Sequence, residues 1–141
     1  MKKVLILDFG GQYNLLIARR VRQSGVFCEI KSYRTPLAEI KAFSPDAVIL
    51  TGGPATVFDE GAPTIDKSVF EMGVPVLGIC YGMQLMVYTL GGDCRKADKR
   101  EYGKVLLNHV SSPLFKDVPD TSVCWMSHGV EVDSLPEGFK T

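Results

Sequence analysis

Short runs of apolar residues recur along this chain, and glycine-containing turns follow the runs at residues 47–50 and 74–79. A strand that is apolar throughout is typical of a parallel sheet covered on both faces. A strand with one solvent-exposed face alternates apolar and polar residues instead. We predict strands at residues 4–7, 26–30, 47–50 and 74–79, and helices at residues 12–23, 36–43, 64–71 and 82–90. This alternation predicts an α/β fold with an open, mostly parallel sheet and helices on both faces.

Two of these helices carry more detailed predictions. In the first, the side facing the sheet is expected to hold Leu15, Leu16, Ile17, Ala18 and Val21,. In the second, Thr35 is expected to be the N-cap and Pro36 the first helical residue.

The pattern of apolar residues changes after Gly92. Helical periodicity is absent there, and residues 105–107 and 123–126 are predicted as short strands of an antiparallel portion near the C-terminus. The mixed-charge run at residues 95–100 is expected to be a solvated loop. Because we find no repeat and no linker, we expect a single domain over residues 1–141.

Composition excludes several classes of protein. Sixteen basic residues balance sixteen acidic ones, which argues against a nucleic-acid partner. No apolar stretch approaches the ~20 residues of a membrane span, so no membrane partner is expected. The four cysteines, Cys28, Cys80, Cys94 and Cys124, lack zinc spacing, so no metal site is expected. Their irregular spacing favours reduced thiols and a cytoplasmic location.

The most informative motif is Gly-Ile-Cys-Tyr-Gly at residues 78–82, which lies between a predicted strand and a predicted helix. This is the pattern of a nucleophile elbow with cysteine as the nucleophile. The flanking glycines fit a sharp turn in which the backbone is crowded. The helix N-terminus next to Cys80 favours the thiolate, the form that attacks carbonyl carbon. The alternative interpretation is an ordinary buried cysteine at the end of a strand.

A second glycine turn, Thr-Gly-Gly-Pro at residues 51–54, follows the third predicted strand. Ligands of open parallel sheets bind at the carboxyl ends of the strands, so this turn is expected near Cys80. Backbone N–H groups of the turn and of Tyr81 would then stabilise the oxyanion of an acyl-transfer reaction. The alternative is a plain β-turn without a chemical role.

Other candidate residues are less informative. The loop at residues 8–12 lacks the spacing of either phosphate-binding glycine motif, although it can border the pocket. Of the two histidines, His109 reads as a surface residue of an edge strand. For His128 we favour lining of the pocket over a role as general base.

Taken together, these motifs resemble the class I, triad-type glutamine amidotransferase domain of the GMP synthetase family. The resemblance covers nearly the whole chain. It is carried by residues 8–13, 17–22, 52–54, 78–84, 101–103, 125–129 and 135–139. Tyr81 and Met83 within the elbow are what single out this branch of the family. The resemblance implies a flavodoxin-like sheet.

The resemblance also implies roles for individual residues. Cys80 would form a glutamyl thioester with glutamine, and the backbone amides of Gly53 and Tyr81 would form the oxyanion hole. The implied substrate-binding residues are Gly52, Gln84, Ser127, His128 and Gly129. The released ammonia would pass to an ATP-dependent synthetase part, fused or separate, that aminates XMP to GMP. No cofactor is expected in this domain; ATP and magnesium belong to the synthetase part.

The sequence departs from the family pattern at two points. Val130 stands where an aspartate is usual. The late His-Pro-Glu segment, which holds the catalytic base and its orienting carboxylate in the family, does not occur in these 141 residues. We therefore expect residues 1–141 to be an amidotransferase domain that is incomplete at its C-terminus, and poorly active alone.

Three other functions remain as alternatives. A DJ-1/PfpI-type elbow-cysteine hydrolase or chaperone shares the elbow, although that class usually has histidine where this chain has Tyr81. A flavodoxin-like flavin carrier or receiver shares the sheet, but a receiver needs an acidic partner beside Asp8. Another class I amidotransferase is also compatible with the elbow.

Overall fold

Four parallel strands form the central sheet of the computed structural model, in the order β2-β1-β3-β4. The structure describes the backbone of residues 1–141 and every side chain except those of residues 100 and 101. The strands are β1 (Lys3–Asp8), β2 (Phe27–Ser32), β3 (Ala47–Leu50) and β4 (Val76–Gly78). The predicted parallel α/β sheet is therefore confirmed.

The chain reverses its direction of travel across the sheet between β1 and β3. It moves outward from β1 through helix α1 (Asn14–Gln23) to β2, then returns through helix α2 (Leu37–Phe43) to β3 on the other side of β1. Since crossovers between parallel strands are right-handed, α1 and α2 cover opposite faces. The carboxyl ends of β1 and β3 therefore adjoin at the position where such sheets bind ligands.

The core lies along β1 and β3, whose apolar runs were predicted correctly. Leu5, Leu7 and Leu50 are completely buried, and Val48 is almost so. Strand β1 pairs with both neighbours, with Leu5 opposite Glu29 on one side and Val48 on the other. A strand hydrogen-bonded on both sides and covered on both faces has no position for a polar side chain. This explains the unbroken apolar run.

The expected buried face of α1 is wrong in part. Leu15 is 78% exposed and Leu16 is 48% exposed, whereas Asn14 and Ala18 are buried. The residues that face the sheet are spaced three and four apart, as the helical repeat requires. They are Asn14, Ile17, Ala18 and Val21.

Two further predictions about helices are wrong, one about the start of α2 and one about the helix at residues 64–71. Pro36, not Thr35, is the N-cap of α2, and its ψ of 144° is extended rather than helical. The helix predicted at residues 64–71 is only a 3-10 turn, Lys67–Val69. There the carboxylate of Asp66 accepts a hydrogen bond from the Ser68 N–H at 2.8 Å, which holds Asp66 extended,. The same hydrogen bond keeps the pKa of Asp66 below its usual value.

Beyond helix α3 (Tyr81–Thr89), the chain forms a two-stranded sheet separate from the parallel one. Its strands, β5 (Asp93–Asn108) and β6 (Thr121–Ser134), are far longer than the short strands predicted there. The run at residues 95–100 belongs to β5 and is not a loop. Of the motif at residues 101–103, the side chain of residue 101 lies outside the described part.

The chain divides into two compact units. Unit 1 comprises Met1–Arg95 and Val132–Thr141, and unit 2 comprises Lys96–Glu131. Within unit 1, Arg95 forms an ion pair with Asp133 at 3.1 Å. Within unit 2, the Thr121 hydroxyl donates to the Asn108 side chain, so opposite ends of β5 and β6 meet as in an antiparallel hairpin. A 3-10 turn, Pro113–Phe115, lies between the two strands.

Candidate active site

Cys80 occupies a sharp turn between β4 and α3, and it is exposed. Its backbone has φ 49° and ψ −113°. A residue with a Cβ atom rarely adopts such a conformation, which costs roughly 1–3 kcal/mol and persists only where the surroundings impose it. Cys80 is also the N-cap of α3, so it directly precedes the N–H groups of the first helical turn, which have no partner within the helix,. The elbow interpretation of the motif therefore matches the local geometry.

The glycines on either side of Cys80 are required by close backbone contacts. A Cβ on Gly78 would lie 2.6 Å from the Cα of Met83, and one on Gly82 would lie 2.3 Å from the carbonyl oxygen of Leu50. Carbon atoms cannot approach main-chain atoms so closely. The expectation that small residues flank Cys80 because the backbone is crowded there is confirmed.

Backbone hydrogen bonds fasten the elbow to the carboxyl end of β3. The Ile79 N–H donates to Leu50 at 2.9 Å, and the Gly82 N–H donates to Thr51 at 3.0 Å. Behind the turn, the Gln84 N–H donates to the Cys80 carbonyl at 3.0 Å and closes the first turn of α3. These contacts bracket Cys80 on both sides and impose its strained conformation.

The Gly52-Gly53 turn lies directly against Cys80, as predicted. A Cβ built on Gly52 would be 3.4 Å from the Cβ of Cys80. A Cβ on Gly53 would be only 2.3 Å from the carbonyl oxygen of Phe9, so no larger residue fits there. Among the described residues, neither the Gly53 nor the Tyr81 N–H donates to a protein acceptor. The turn thus presents backbone beside the Cys80 side chain.

The loop after β1 supports this turn. The Phe9 N–H donates to the Thr51 hydroxyl at 3.2 Å, and Thr51 is completely buried. The Asp8 carboxylate accepts from the Gly10 N–H at 2.6 Å and from the side-chain amide of Asn14. The loop therefore borders the site, as the sequence suggested, and the Asp8 carboxylate holds its shape.

Sequence reasoning missed an aromatic cluster beside the elbow. The Phe9 ring stacks on Tyr33 with centroids 5.4 Å apart and packs against Tyr81 at 5.5 Å. The three residues come from the β1–α1 loop, the β2–α2 loop and α3. No local pattern in the sequence links such residues. Only the parallel order of strands, which brings loop ends together, could have suggested their proximity.

The remaining candidate residues divide between the two units. Gln84 is buried on α3 in unit 1, and its carbonyl accepts from the Cys94 thiol at 3.7 Å. Ser127, His128 and Gly129 belong to β6 in unit 2, where Nδ1 of His128 lies 3.2 Å from the Val130 carbonyl.

His109 also lies in unit 2. Its ring stacks on Phe115, with centroids 4.1 Å apart. Its two nitrogens lie 3.1 Å and 2.8 Å from the carbonyls of Val110 and Pro119. These contacts occupy the ring fully and favour a structural role.

The four cysteines are free thiols in different surroundings. Cys28 is buried and donates to the Ala18 carbonyl at 3.5 Å. Cys94 is buried too, and burial, with a smaller effect of Asp93, raises the pKa of its thiol. Cys124 is half-buried, which leaves Cys80 as the exposed thiol.

We expect brief treatment of the folded protein with iodoacetamide to alkylate Cys80 well before Cys28 and Cys94. Access to the sulfur governs this reaction, and Cys28 and Cys94 are buried whereas Cys80 is exposed,. Burial also raises the pKa of the Cys94 thiol, which slows its reaction further. Peptide mass mapping over time would measure it, with protein unfolded in urea as the control in which all four react. Equal rates at Cys80 and Cys94 in the folded state would contradict the geometry.

No cluster of three or more metal-ligating side chains occurs in the described part of the chain. Within the same residues, no helix combines the length and apolar character needed to cross a bilayer.

Comparison with known proteins agrees with this geometry. The family model of class-I glutamine amidotransferases matches residues 5–141. The chain belongs to this family. The match favours an amidotransferase over the DJ-1/PfpI-type and flavodoxin-like alternatives.

Among curated relatives, this amidotransferase chain is 56% identical over 138 residues to a protein of Caldicellulosiruptor saccharolyticus named GMP synthase [glutamine-hydrolyzing]. A protein of the same name from Ruminiclostridium cellulolyticum is likewise 56% identical over 138 residues. Each alignment covers 97% of this chain and 27% of the relative. The chain therefore spans about a quarter of the length of these relatives.

Solved structures give the same fold. A Thermoplasma acidophilum protein, described provisionally as one subunit of GMP synthase, superposes with a TM-score of 0.84 at 28% identity, covering 97% of this chain and 69% of that one. A glutamine amidotransferase from Thermotoga maritima superposes with a TM-score of 0.71 at 22% identity, covering 96% and 64%. The predicted amidotransferase fold is confirmed.

Proposed function

We propose that this amidotransferase chain is the glutamine-hydrolysing part of a GMP synthase. The observation that carries the proposal is the strained, exposed Cys80 at the N-terminus of α3, with the backbone of Gly52 against it. The similarity of the whole chain to proteins named GMP synthase [glutamine-hydrolyzing] supports the choice of branch.

In the proposed reaction, the Cys80 thiolate attacks the side-chain amide carbon of glutamine. The carbonyl oxygen becomes an oxyanion, for which the free N–H groups of Gly53 and Tyr81 are the proposed donors. Each such donor in a preorganised site contributes a few kcal/mol to the transition state. The carbon–nitrogen bond then breaks, and ammonia leaves with an added proton. Water hydrolyses the resulting thioester to glutamate and returns the free thiol.

The glutamine-binding residues stay a prediction. We propose that Gly52 contributes backbone beside the sulfur and that Gln84, buried on the helix behind Cys80, shapes the pocket from within unit 1. We also propose that Ser127, His128 and Gly129 contact glutamine. Their support is the family resemblance of the segment that contains them.

The rest of the proposed activity lies outside these residues. We propose that the ammonia serves the ATP-dependent amination of XMP to GMP in a synthetase part, which binds the ATP and magnesium. The catalytic histidine and its orienting glutamate are proposed to lie outside residues 1–141 as well, which would make this domain incomplete. The four free thiols are consistent with the reducing cytoplasm as its location,.

A glutamine-directed label tests this function. We expect the diazoketone glutamine analogue 6-diazo-5-oxo-L-norleucine to modify Cys80 selectively, and excess glutamine to protect Cys80 while asparagine does not. Mass mapping of the labelled peptides gives the result, with Cys80→Ala as the control. Modification of Cys80 by iodoacetamide but not by the analogue would refute the proposal.

A further inference from the structure

The side chain of Tyr81 makes a connection that the proposed reaction does not use. Only 2% of this residue is exposed, and its hydroxyl donates to the carbonyl of Pro63 at 2.5 Å. Pro63 lies in the long segment that joins β3 to β4 and that begins with the Gly52-Gly53 turn. The residue that follows the nucleophile therefore also fastens the far part of this segment.

The ring of Tyr81 fastens the near part of the same segment through Phe9. It packs against the Phe9 ring, with centroids 5.5 Å apart. The Phe9 carbonyl in turn lies so close to Gly53 that a Cβ there would clash with it at 2.3 Å. A shift of Phe9 would therefore move Gly53, or open a gap beside it.

The hydroxyl of Tyr81 is suited to donate its hydrogen bond over a wide range of pH. Burial, with smaller effects of Tyr33 and Asp59, raises the pKa of this phenol above its usual value. The hydroxyl thus keeps its proton, and remains a donor to Pro63, under alkaline conditions in which ordinary thiols are ionised.

We propose that the Tyr81 side chain is a positioning residue that holds residues 53–63 in register with Cys80 and thereby aims the Gly53 N–H at the developing oxyanion. This inference rests on the proposed function. A donor contributes fully only when it is fixed before charge develops, because reorganisation during the reaction reduces the benefit. Two anchors from one side chain, one to Phe9 and one to Pro63, supply that rigidity.

The experiment compares two reactions of the same sulfur in the 141-residue chain at alkaline pH. The first is acylation of Cys80 by the γ-p-nitrophenyl ester of glutamate, followed by the burst of p-nitrophenolate. That step forms an oxyanion, and its leaving group departs without a proton. The second is alkylation by iodoacetamide, a displacement that forms no oxyanion. The ratio of the two rates isolates oxyanion stabilisation from the access and ionisation of the thiol.

Three variants give the comparison. Tyr81→Phe removes the hydrogen bond to Pro63 and keeps the ring, whereas Tyr81→Leu removes both anchors. Tyr88→Phe is the matched control, because Tyr88 lies on the same helix with 46% of its surface exposed. We expect acylation to slow about 3- to 10-fold in Tyr81→Phe, the factor that one neutral hydrogen bond is worth. Tyr81→Leu should lose more, up to the roughly 10²- to 10³-fold cost of one missing donor.

The outcomes separate the positioning role from a structural one and from failure of the proposed function. Unchanged alkylation with slowed acylation in both Tyr81 variants, and no change in Tyr88→Phe, supports the inference. A lowered melting temperature with an unchanged rate ratio would show that Tyr81 only stabilises the fold, and would overturn it. If the unsubstituted chain gives no burst that depends on Cys80, the proposed function itself fails.

Discussion

Replacement of Cys80 by glycine should abolish acyl transfer and yet give a more stable protein than Cys80→Ala, by about 1 kcal/mol. Alanine retains the Cβ atom, so it keeps the strain of φ 49° and ψ −113° at this position. Relief of such strain is worth roughly 1–3 kcal/mol. Glycine also loses about 0.5–1 kcal/mol of stability, because its unfolded chain has greater conformational entropy. The difference between the two effects leaves glycine more stable than alanine by about 1 kcal/mol.

Urea denaturation of the two variants measures the difference. The slopes must match for the midpoints to report stability alone, since a changed slope means that the surface exposed on unfolding has changed. The ester burst should vanish in both variants, because neither has a nucleophile at residue 80. A glycine variant no more stable than the alanine variant would show that the surroundings do not force the turn on Cys80.

Steric crowding of the backbone around Cys80 explains why the elbow could be predicted from sequence. The requirement for small flanking residues is local and steric: Gly78 meets the backbone of Met83, and Gly82 meets the carbonyl of Leu50. Such constraints leave a fixed pattern of residue types at fixed spacing. The parallel strands were predictable for a similar reason, since burial on both faces admits only apolar side chains.

The exposed leucines of α1 show where pattern reasoning fails. Leu15 and Leu16 adjoin Ile17 and Ala18 in an apolar run, and the run alone does not show which of its residues face the sheet. The carboxylate of Asp8 decides this, because it accepts from the side-chain amide of Asn14 and draws that residue inward. A tertiary hydrogen bond thus sets the rotation of the helix, and it left no periodic signal in the sequence.

The lengths of β5 and β6 were missed for a different reason. A two-stranded sheet is stabilised by pairing of its backbones and by cross-strand pairs such as Arg95 with Asp133, so its strands need no apolar run,. Residues 95–100 carry charges that suit a loop and a solvated strand equally well. Only pairing with β6 distinguishes a strand from a loop here. The sequence of neither segment shows the register of that pairing.

The closeness of Cys80 and the Gly52-Gly53 turn was predicted, but the contacts that hold the two in place were not. Cys80 and the Gly52-Gly53 turn follow from motifs, and the sheet topology places them together. The contacts of Tyr81 with Phe9 and Pro63 join residues that are far apart in sequence. Each of these residue types is common in loops and cores, so none indicates its partner.

The second large effect concerns the leaving group. We expect this 141-residue chain to accept the activated γ-ester of glutamate while hydrolysing glutamine about 10²- to 10⁴-fold more slowly than an enzyme with a positioned base. Proton transfer by such a group supplies a factor of that size. Ammonia must gain a proton as it leaves, whereas p-nitrophenolate needs none. Unit 1, which holds Cys80, contains no histidine, and the sequence has no His-Pro-Glu segment.

Added imidazole tests whether proton transfer is the function that these residues lack. If proton transfer is the missing function, free imidazole should raise ammonia release from glutamine in proportion to its concentration and leave the ester burst unchanged. Cys80→Ala is the control that should show no rescue. His109→Gln should behave like the unsubstituted chain, because both ring nitrogens of His109 lie within hydrogen-bond distance of backbone carbonyls of its own unit. Rapid glutamine hydrolysis without imidazole would contradict the prediction, because it would show that proton transfer is not what these residues lack.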